Sequence, residues 1–181
     1  MIPRKPVATL AVPVQPYDHV VGTPDARITV VEYGDFECPI CAAAEPAVRQ
    51  LLKVYGGRIR FVFRHFPLED AHPHALLAAE AAEAAGAQGK FWPMHDLLLA
   101  NTSQLARRHL ESYAGRIDLD LVRFRADLDD EVYRQRVREH QAGGRSSHLR
   151  ATPTFFVDGV VQDISGGMRE LFGAIEASLA T

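Results

Sequence analysis

Cys38 and Cys41 are the only two thiols in the chain, and they stand as C-P-I-C at the junction of a strand-like run, Ile28 to Tyr33, and a helix-like run, Ala42 to Tyr55. At such a junction Cys38 takes the place before the helix and Pro39 the first helical position, where the missing N–H of proline costs nothing. Unsatisfied backbone N–H groups and the positive end of the helix dipole then face the Cys38 sulfur and favour its thiolate. Cys41 lies one turn further in, placed to attack a mixed disulfide formed on Cys38. The chemistry this spacing suits is thiol–disulfide exchange.

Other residue types compete for a reading. His72 and His74, added to the cysteine pair, would complete a zinc ligand set. They are two residues apart around Pro73 at an expected helix start, however, which sets them poorly for one metal. His65 closes a strand and reads equally as a site neighbour or a surface loop histidine. Phe91, Trp92 and Met94 read as core. His148 and Arg150 lie just ahead of Thr152-Pro153 and mark a loop of its own shape and charge.

The elements that must hold the cysteines follow from the hydrophobic period. A strand is expected at about 27 to 33 and a helix at about 39 to 55, with Val48, Leu51, Leu52 and Tyr55 on one face and a stop at Gly56-Gly57. Arg58 to Phe63 alternates with Ile59, Phe61 and Phe63 buried, so strand, helix and strand form a parallel βαβ unit. From about 73 to 143 the chain reads as helices: His74 to Ala85, Phe91 to Ala100, Ser103 to Tyr113, Asp118 to Leu128 and Glu131 to Gln141. Strand character returns at Thr154 to Val157, with the turn Asp158-Gly159 and a strand from Val160 to Asp163. A last helix, about 167 to 180, closes the chain.

Composition bounds the partners. Length suits one domain with an insertion. Hydrophobic residues make up 47%, charged residues 24%, and the net charge is −3, so no concentrated cationic face exists for a nucleic acid. The charges between Arg123 and Glu139 alternate in sign and read as a solvated, ion-paired surface. No run of about 18 apolar residues spans a membrane. Residues 1 to 25 read as an extended, proline-punctuated arm, because Pro13 and Pro16 interrupt the apolar stretch after Arg4 and Lys5 before it reaches the length of a signal peptide. A cytoplasmic location is therefore expected, with a periplasmic one if a signal lies upstream.

The C-x-x-C at a helix start, the helical insertion after βαβ, His72-Pro73-His74-Ala75, Gly89-Lys90-Phe91-Trp92 and Thr152-Pro153-Thr154-Phe155-Phe156-Val157-Asp158-Gly159 together resemble the DsbA family of thioredoxin-fold proteins, in its branch of short members. The resemblance implies an α/β thioredoxin fold, βαβ then ββα, with an all-helical insertion. Residues 26–66 and 148–181 would form the thioredoxin-like domain and residues 67–147 the insert. It further implies a cis Thr152–Pro153 bond beside the cysteines, leaving the Thr152 backbone free to pair with an extended substrate segment.

Glu32 is the lone charge in its strand, and alternation places it with Val30 and Gly34. The family pattern has a buried glutamate there, beneath the second cysteine, which would exchange a proton with Cys41 in an assisting role. Cys38, Cys41 and Glu32 are thus the expected catalytic residues, and Pro39, Ile40, Thr152 and Pro153 the expected substrate contacts.

DsbA itself has a histidine beside the second cysteine. Ile40 stands there in this chain, with Asp35 and Glu37 close by, and these departures raise the Cys38 pKa relative to DsbA and predict a milder oxidant. The resemblance implies no organic cofactor or metal beyond the redox-active disulfide. Its partners would be thiol- or disulfide-containing polypeptides and a recycling partner: glutathione, a thioredoxin system or a membrane quinone oxidoreductase. The alternatives are a cytoplasmic reductase or isomerase, a redox-responsive binding module, and a kappa-class glutathione-dependent transferase, against which the intact C-x-x-C argues.

Overall fold

The computed structural model of the protein describes residues 8–181; the basic pair Arg4 and Lys5 and the start of the expected arm lie outside the described residues. Five strands form one sheet: β1 (His19–Gly22), β2 (Ile28–Gly34), β3 (Ile59–His65), β4 (Thr154–Val157) and β5 (Val160–Gln162). Their order across the sheet is β1-β3-β2-β4-β5, with β2 and β3 parallel and every other pairing antiparallel. Helix α1 (Pro39–Tyr55) links β2 to β3. Between β3 and β4 run α2 (Ala75–Gly86), α3 (Phe91–Leu99), α4 (Arg107–Arg116), α5 (Leu121–Asp129) and α6 (Arg134–Ser146), and α7 (Arg169–Ala180) ends the chain. This is a thioredoxin fold with a helical insertion.

Central strands β2 and β3 are buried on both faces, which is why they read as nearly unbroken apolar runs. One face carries Ile28, Val30, Phe61, Phe63 and Phe155, packed by Val48 and Leu51 of α1, Leu171 and Ile175 of α7, and residues of α2 and α3. The other face carries Val31, Tyr33, Val62 and Phe156, covered by Phe66, Leu149, Leu10 and Val14. Residues 8–22 are therefore part of the molecule's walls. Leu10 N–H bonds the Gly159 carbonyl, Val161 N–H bonds the Ala8 carbonyl, and β1 pairs along β3.

Two features shift element ends from their expected places. Helices α4 to α6 begin about three residues late. Asp118 and Glu131 adopt positive φ, 55° and 53°, in the turns before α5 and α6, and Asp120 caps α5 by accepting from Arg123 N–H at 3.0 Å. Helix α6 also runs past Gly143-Gly144 to Ser146. These glycines serve close packing: a Cβ on Gly144 would lie 2.5 Å from the Phe66 ring.

A buried ionic strut ties the second face together. Arg64, 2% exposed, donates from Nε and Nη2 to both carboxylate oxygens of Asp18 at 3.2 and 2.7 Å. It also donates to the carbonyls of Val12 and Pro13 and to the Tyr33 hydroxyl. His65 is fully buried, so the surface reading of this residue is corrected: it meets Glu83 of α2 at 2.8 Å, and its backbone N–H donates to His140 Nδ1 at 3.2 Å. Burial pushes the His65 pKa down to about 4, against the pull of Glu83. Glu83 is also held by His19 and Arg136, and His140 faces Asp18, so the cluster joins the sheet to the insertion.

Candidate active site

The loop leaving β2 turns straight into α1. Cys38 precedes the helix with extended φ and ψ of −78° and 118°, and Pro39 takes the first helical position. The local fold is set by backbone: Cys38 N–H donates to the Asp35 carbonyl at 3.1 Å, and Ala42 N–H closes the first turn onto the Cys38 carbonyl at 3.2 Å. Both cysteines are free thiols. The Thr152–Pro153 bond is cis. The Thr152 carbonyl lies 3.4 Å from Cys38 Sγ and accepts from it when the thiol is protonated.

Donors converge on the Cys38 sulfur. The Cys41 thiol contributes most to stabilising its thiolate, burial opposes it, and the Thr152 hydroxyl and the amides of Cys41 and Ile40 add to the first, for a net pKa lowered to about 5. The Thr152 hydroxyl is buried and lacks a hydrogen-bond partner at bonding distance. Cys41, 1% exposed, is driven in the opposite direction. The neighbouring Cys38 thiolate, burial and then the Glu32 charge hold its pKa far above the usual thiol range, although the Asp35 N–H points at its sulfur at 3.5 Å. The two sulfurs are thus driven in opposite directions, Cys38 toward the thiolate and Cys41 toward the thiol.

Glu32 lies on β2 at 2% exposure, on the same strand face as Val30 and Gly34. Burial raises its pKa well above the carboxylate range, and the charges of Glu45 and Cys38 add to this. Gly34 keeps the space beside it open, since a Cβ there would meet the Phe63 ring at 2.5 Å and Glu32 Oε1 at 3.2 Å. A raised-pKa carboxyl in the interior of a site is the type of group that passes protons near neutrality. Glu32→Gln is expected to slow the step in which Cys41 gains or loses its proton by about 10²-fold, the lower end of general acid–base effects, while Cys38 alkylates as fast as before; stopped-flow reduction and alkylation kinetics check both.

Cys38 is buried, 4% accessible, and belongs to the same apolar cluster as Phe36 and Cys41. Beside Cys38, Pro39 and Ile40 are exposed, Ile40 by 62%, while Thr152 and Pro153 are buried. His148 adopts a φ of 61° before the proline loop, and both it and Arg150 are exposed.

Sequence reasoning did not find what the acidic neighbours do. Asp35 is buried, accepting from Glu37 N–H at 2.8 Å and Leu68 N–H at 2.9 Å, and it meets His72 Nδ1 at 2.7 Å. Glu37 accepts from His74 N–H at 2.6 Å and meets His74 Nδ1 at 2.9 Å. The two histidines are thus engaged by carboxylates, one each. The sequence signal was the matched spacing, acid-x-acid against His-x-His.

A profile of the family described as Thioredoxin matches residues 14–177. Among solved structures the protein is similar to oxidised BdbD of Bacillus subtilis, with 25% identity, 97% of this chain and 100% of that one covered, and a TM-score of 0.86. The chain belongs to the DsbA-like thioredoxin-fold family. A thioredoxin-like oxidoreductase from Silicibacter pomeroyi DSS-3 is 26% identical over 92% of this chain and 95% of its own, with a TM-score of 0.80. Both neighbours share this fold over nearly their whole length.

In sequence the chain is also similar to a Salinispora arenicola protein named Na(+)/H(+) antiporter NhaA 1, 51% identical over 96% of this chain but 27% of that protein. The chain spans about a quarter of the length of such curated relatives. No helix among the described residues is long and apolar enough to cross a membrane.

Proposed function

We propose that the protein is a thiol–disulfide oxidoreductase that exchanges disulfides with polypeptides through Cys38 and Cys41 and is a milder oxidant than DsbA. The observation that carries this reading is the contrast between the two sulfurs. Cys38, ringed by donors, has a pKa lowered to about 5, and Cys41 one turn away keeps its proton. A value of about 5 lies between about 3.5 for DsbA and about 7 for thioredoxin, which supports an intermediate oxidising power.

In the oxidising direction a substrate thiolate attacks Cys38 Sγ of the disulfide. The S–S bond breaks, Cys41 leaves as a thiolate and takes a proton from Glu32. A second substrate thiolate then attacks the substrate sulfur of the mixed disulfide and expels Cys38 as its stabilised thiolate. The electron pair travels in the sulfurs, so neither metal nor organic cofactor enters the exchange. Exposed Pro39 and Ile40 flank Cys38 and offer apolar surface to a polypeptide substrate.

Reduced protein is expected to be more stable than oxidised protein, because only the dithiol form holds the Cys38 thiolate. The folded pKa of about 5 is depressed below the thiol value of 9.0, so this contribution is present above pH 9 and disappears as pH falls through 5. At pH 7 it amounts to roughly 3 kcal/mol. Urea unfolding of both forms between pH 5 and 8 checks it, the gap shrinking toward pH 5.

A second reading is a redox-responsive module within a longer protein, favoured by the antiporter-named relatives of which this chain spans about a quarter. Turnover separates the two. An oxidoreductase reduces insulin or reactivates scrambled ribonuclease over many cycles with glutathione present, whereas one equivalent of exchange per protein would select the module.

A further inference from the structure

The stretch from Asp35 to Cys38 sets two carboxylates beside a sulfur that must hold negative charge, which is electrostatically unfavourable unless something answers them. Nothing between the cysteines does so, since Pro39 and Ile40 carry no charge. The answer comes from the loop between β3 and α2. His72 Nδ1 lies 2.7 Å from Asp35 Oδ2, with the carboxylate fully buried and the ring 19% exposed. His74 does the same for Glu37 with a more open geometry, its side chain 45% exposed. Asp35 is also the backbone anchor of both cysteines, accepting from Cys38 N–H and donating toward Cys41 Sγ.

We propose that His72 is a positioning residue of the redox site: by answering the buried charge of Asp35 it lets Cys38 persist as a thiolate, and it thereby couples the dithiol–disulfide equilibrium to its own protonation. This rests on the exchange reading of the cysteine pair. The charged groups that face the ring are Asp35, Cys38 and Glu37; Glu69, on the same loop, is turned to Arg138. Burial disfavours a charged His72, but the Asp35 bond and charge, with Cys38 and Glu37 behind them, outweigh it and hold its pKa above the usual histidine value. That upward shift widens the pH range over which imidazolium and thiolate coexist. As pH rises through the His72 pKa the imidazolium is lost, the Asp35 charge stands unanswered, and the reduced form loses stabilisation, so the pair becomes less oxidising.

Coupling is reciprocal, which gives a test without any mutation. The His72 ring, followed by NMR, is expected to titrate at higher pH in the dithiol protein, where the thiolate is present, than in the disulfide protein. In parallel, His72→Asn keeps a donor for Asp35 Oδ2 but no charge. It is expected to raise the pH at which the Cys38 thiolate absorbance appears and to make the glutathione equilibrium about tenfold less oxidising, which is about 30 mV. Adding Asp35→Asn to it restores the thiolate. A merely structural role predicts that His72→Asn, with its bond kept, behaves as the unmodified protein. Equal ring titrations in the two redox forms, or an unchanged thiolate in His72→Asn, overturns the proposal. Failure of any disulfide to form overturns the exchange reading instead, while the thiolate titration still decides the role of His72.

Discussion

Cys38→Ser is expected to lose disulfide exchange altogether, whereas Cys41→Ser attacks a disulfide once and stays covalently joined to it. With a pKa of about 5, some 99 in 100 Cys38 side chains are thiolates at pH 7. A serine hydroxyl there is neither ionised nor able to form an S–S bond, so turnover falls to the uncatalysed background, about 10³-fold or more for loss of a covalent nucleophile. Cys41 plays no part in the first attack. It is 1% exposed and protonated, and only after the mixed disulfide forms does its deprotonation, with Glu32 as acceptor, expel the product. Mass spectrometry with a disulfide peptide separates the cases: an adduct accumulates on Cys41→Ser and none forms on Cys38→Ser. Sustained turnover by Cys38→Ser would contradict the assignment of the nucleophile.

The largest stability effect is expected at Arg64, remote from the sulfurs. Arg64→Met deletes a two-pronged ion pair and three further hydrogen bonds, and it leaves the Asp18 carboxylate buried without its guanidinium. Breaking one partner of a buried pair typically costs 3–5 kcal/mol, most of it the uncompensated charge. The double variant Arg64→Met, Asp18→Leu removes that charge and is expected to be more stable than the single one. Asp18 is held below the usual carboxylate range, burial opposing and the His140 and Arg64 bonds prevailing. Its contribution is therefore present above about pH 4 and is lost as pH falls below that. Urea denaturation at pH 7 compares the variants, and a series from pH 7 down to about pH 2 follows the loss in acid. A single variant as stable as the parent would mean that the pair carries no net weight.

Which parts of this molecule the sequence disclosed follows from how each part is encoded. The two buried strands, α1 from Pro39 to Tyr55 and the closing hairpin are written in local period, and their expected bounds lie within about two residues of the observed ones. Cys38 and Cys41 announce themselves by spacing and by the proline that starts the helix. The starts of α5 and α6 were blurred because Asp118 and Glu131, acidic residues that suit a helix start, sit instead at positive φ in the turns.

The charged interior was illegible for a different reason. Glu83 within an alanine-rich helix, Arg64 near the end of a strand and Asp18 in a proline-rich arm each look like surface residues alone. Their burial depends on partners 46 and 64 residues away in sequence, as in Arg64 with Asp18 and His19 with Glu83. Pairwise matching of acids at 35 and 37 with histidines at 72 and 74 had the same long-range character. Single-sequence periodicity carries no such term.

The central claim is that Cys38 and Cys41 form a reversible, oxidising disulfide around a stabilised thiolate. Its most direct test is the equilibrium of the pair against graded glutathione buffers at pH 7, with the reduced fraction read by alkylation and mass. The expected midpoint lies between the roughly −270 mV of thioredoxin and −120 mV of DsbA. A pair that never closes into an intramolecular disulfide, or one as reducing as thioredoxin, would contradict the account.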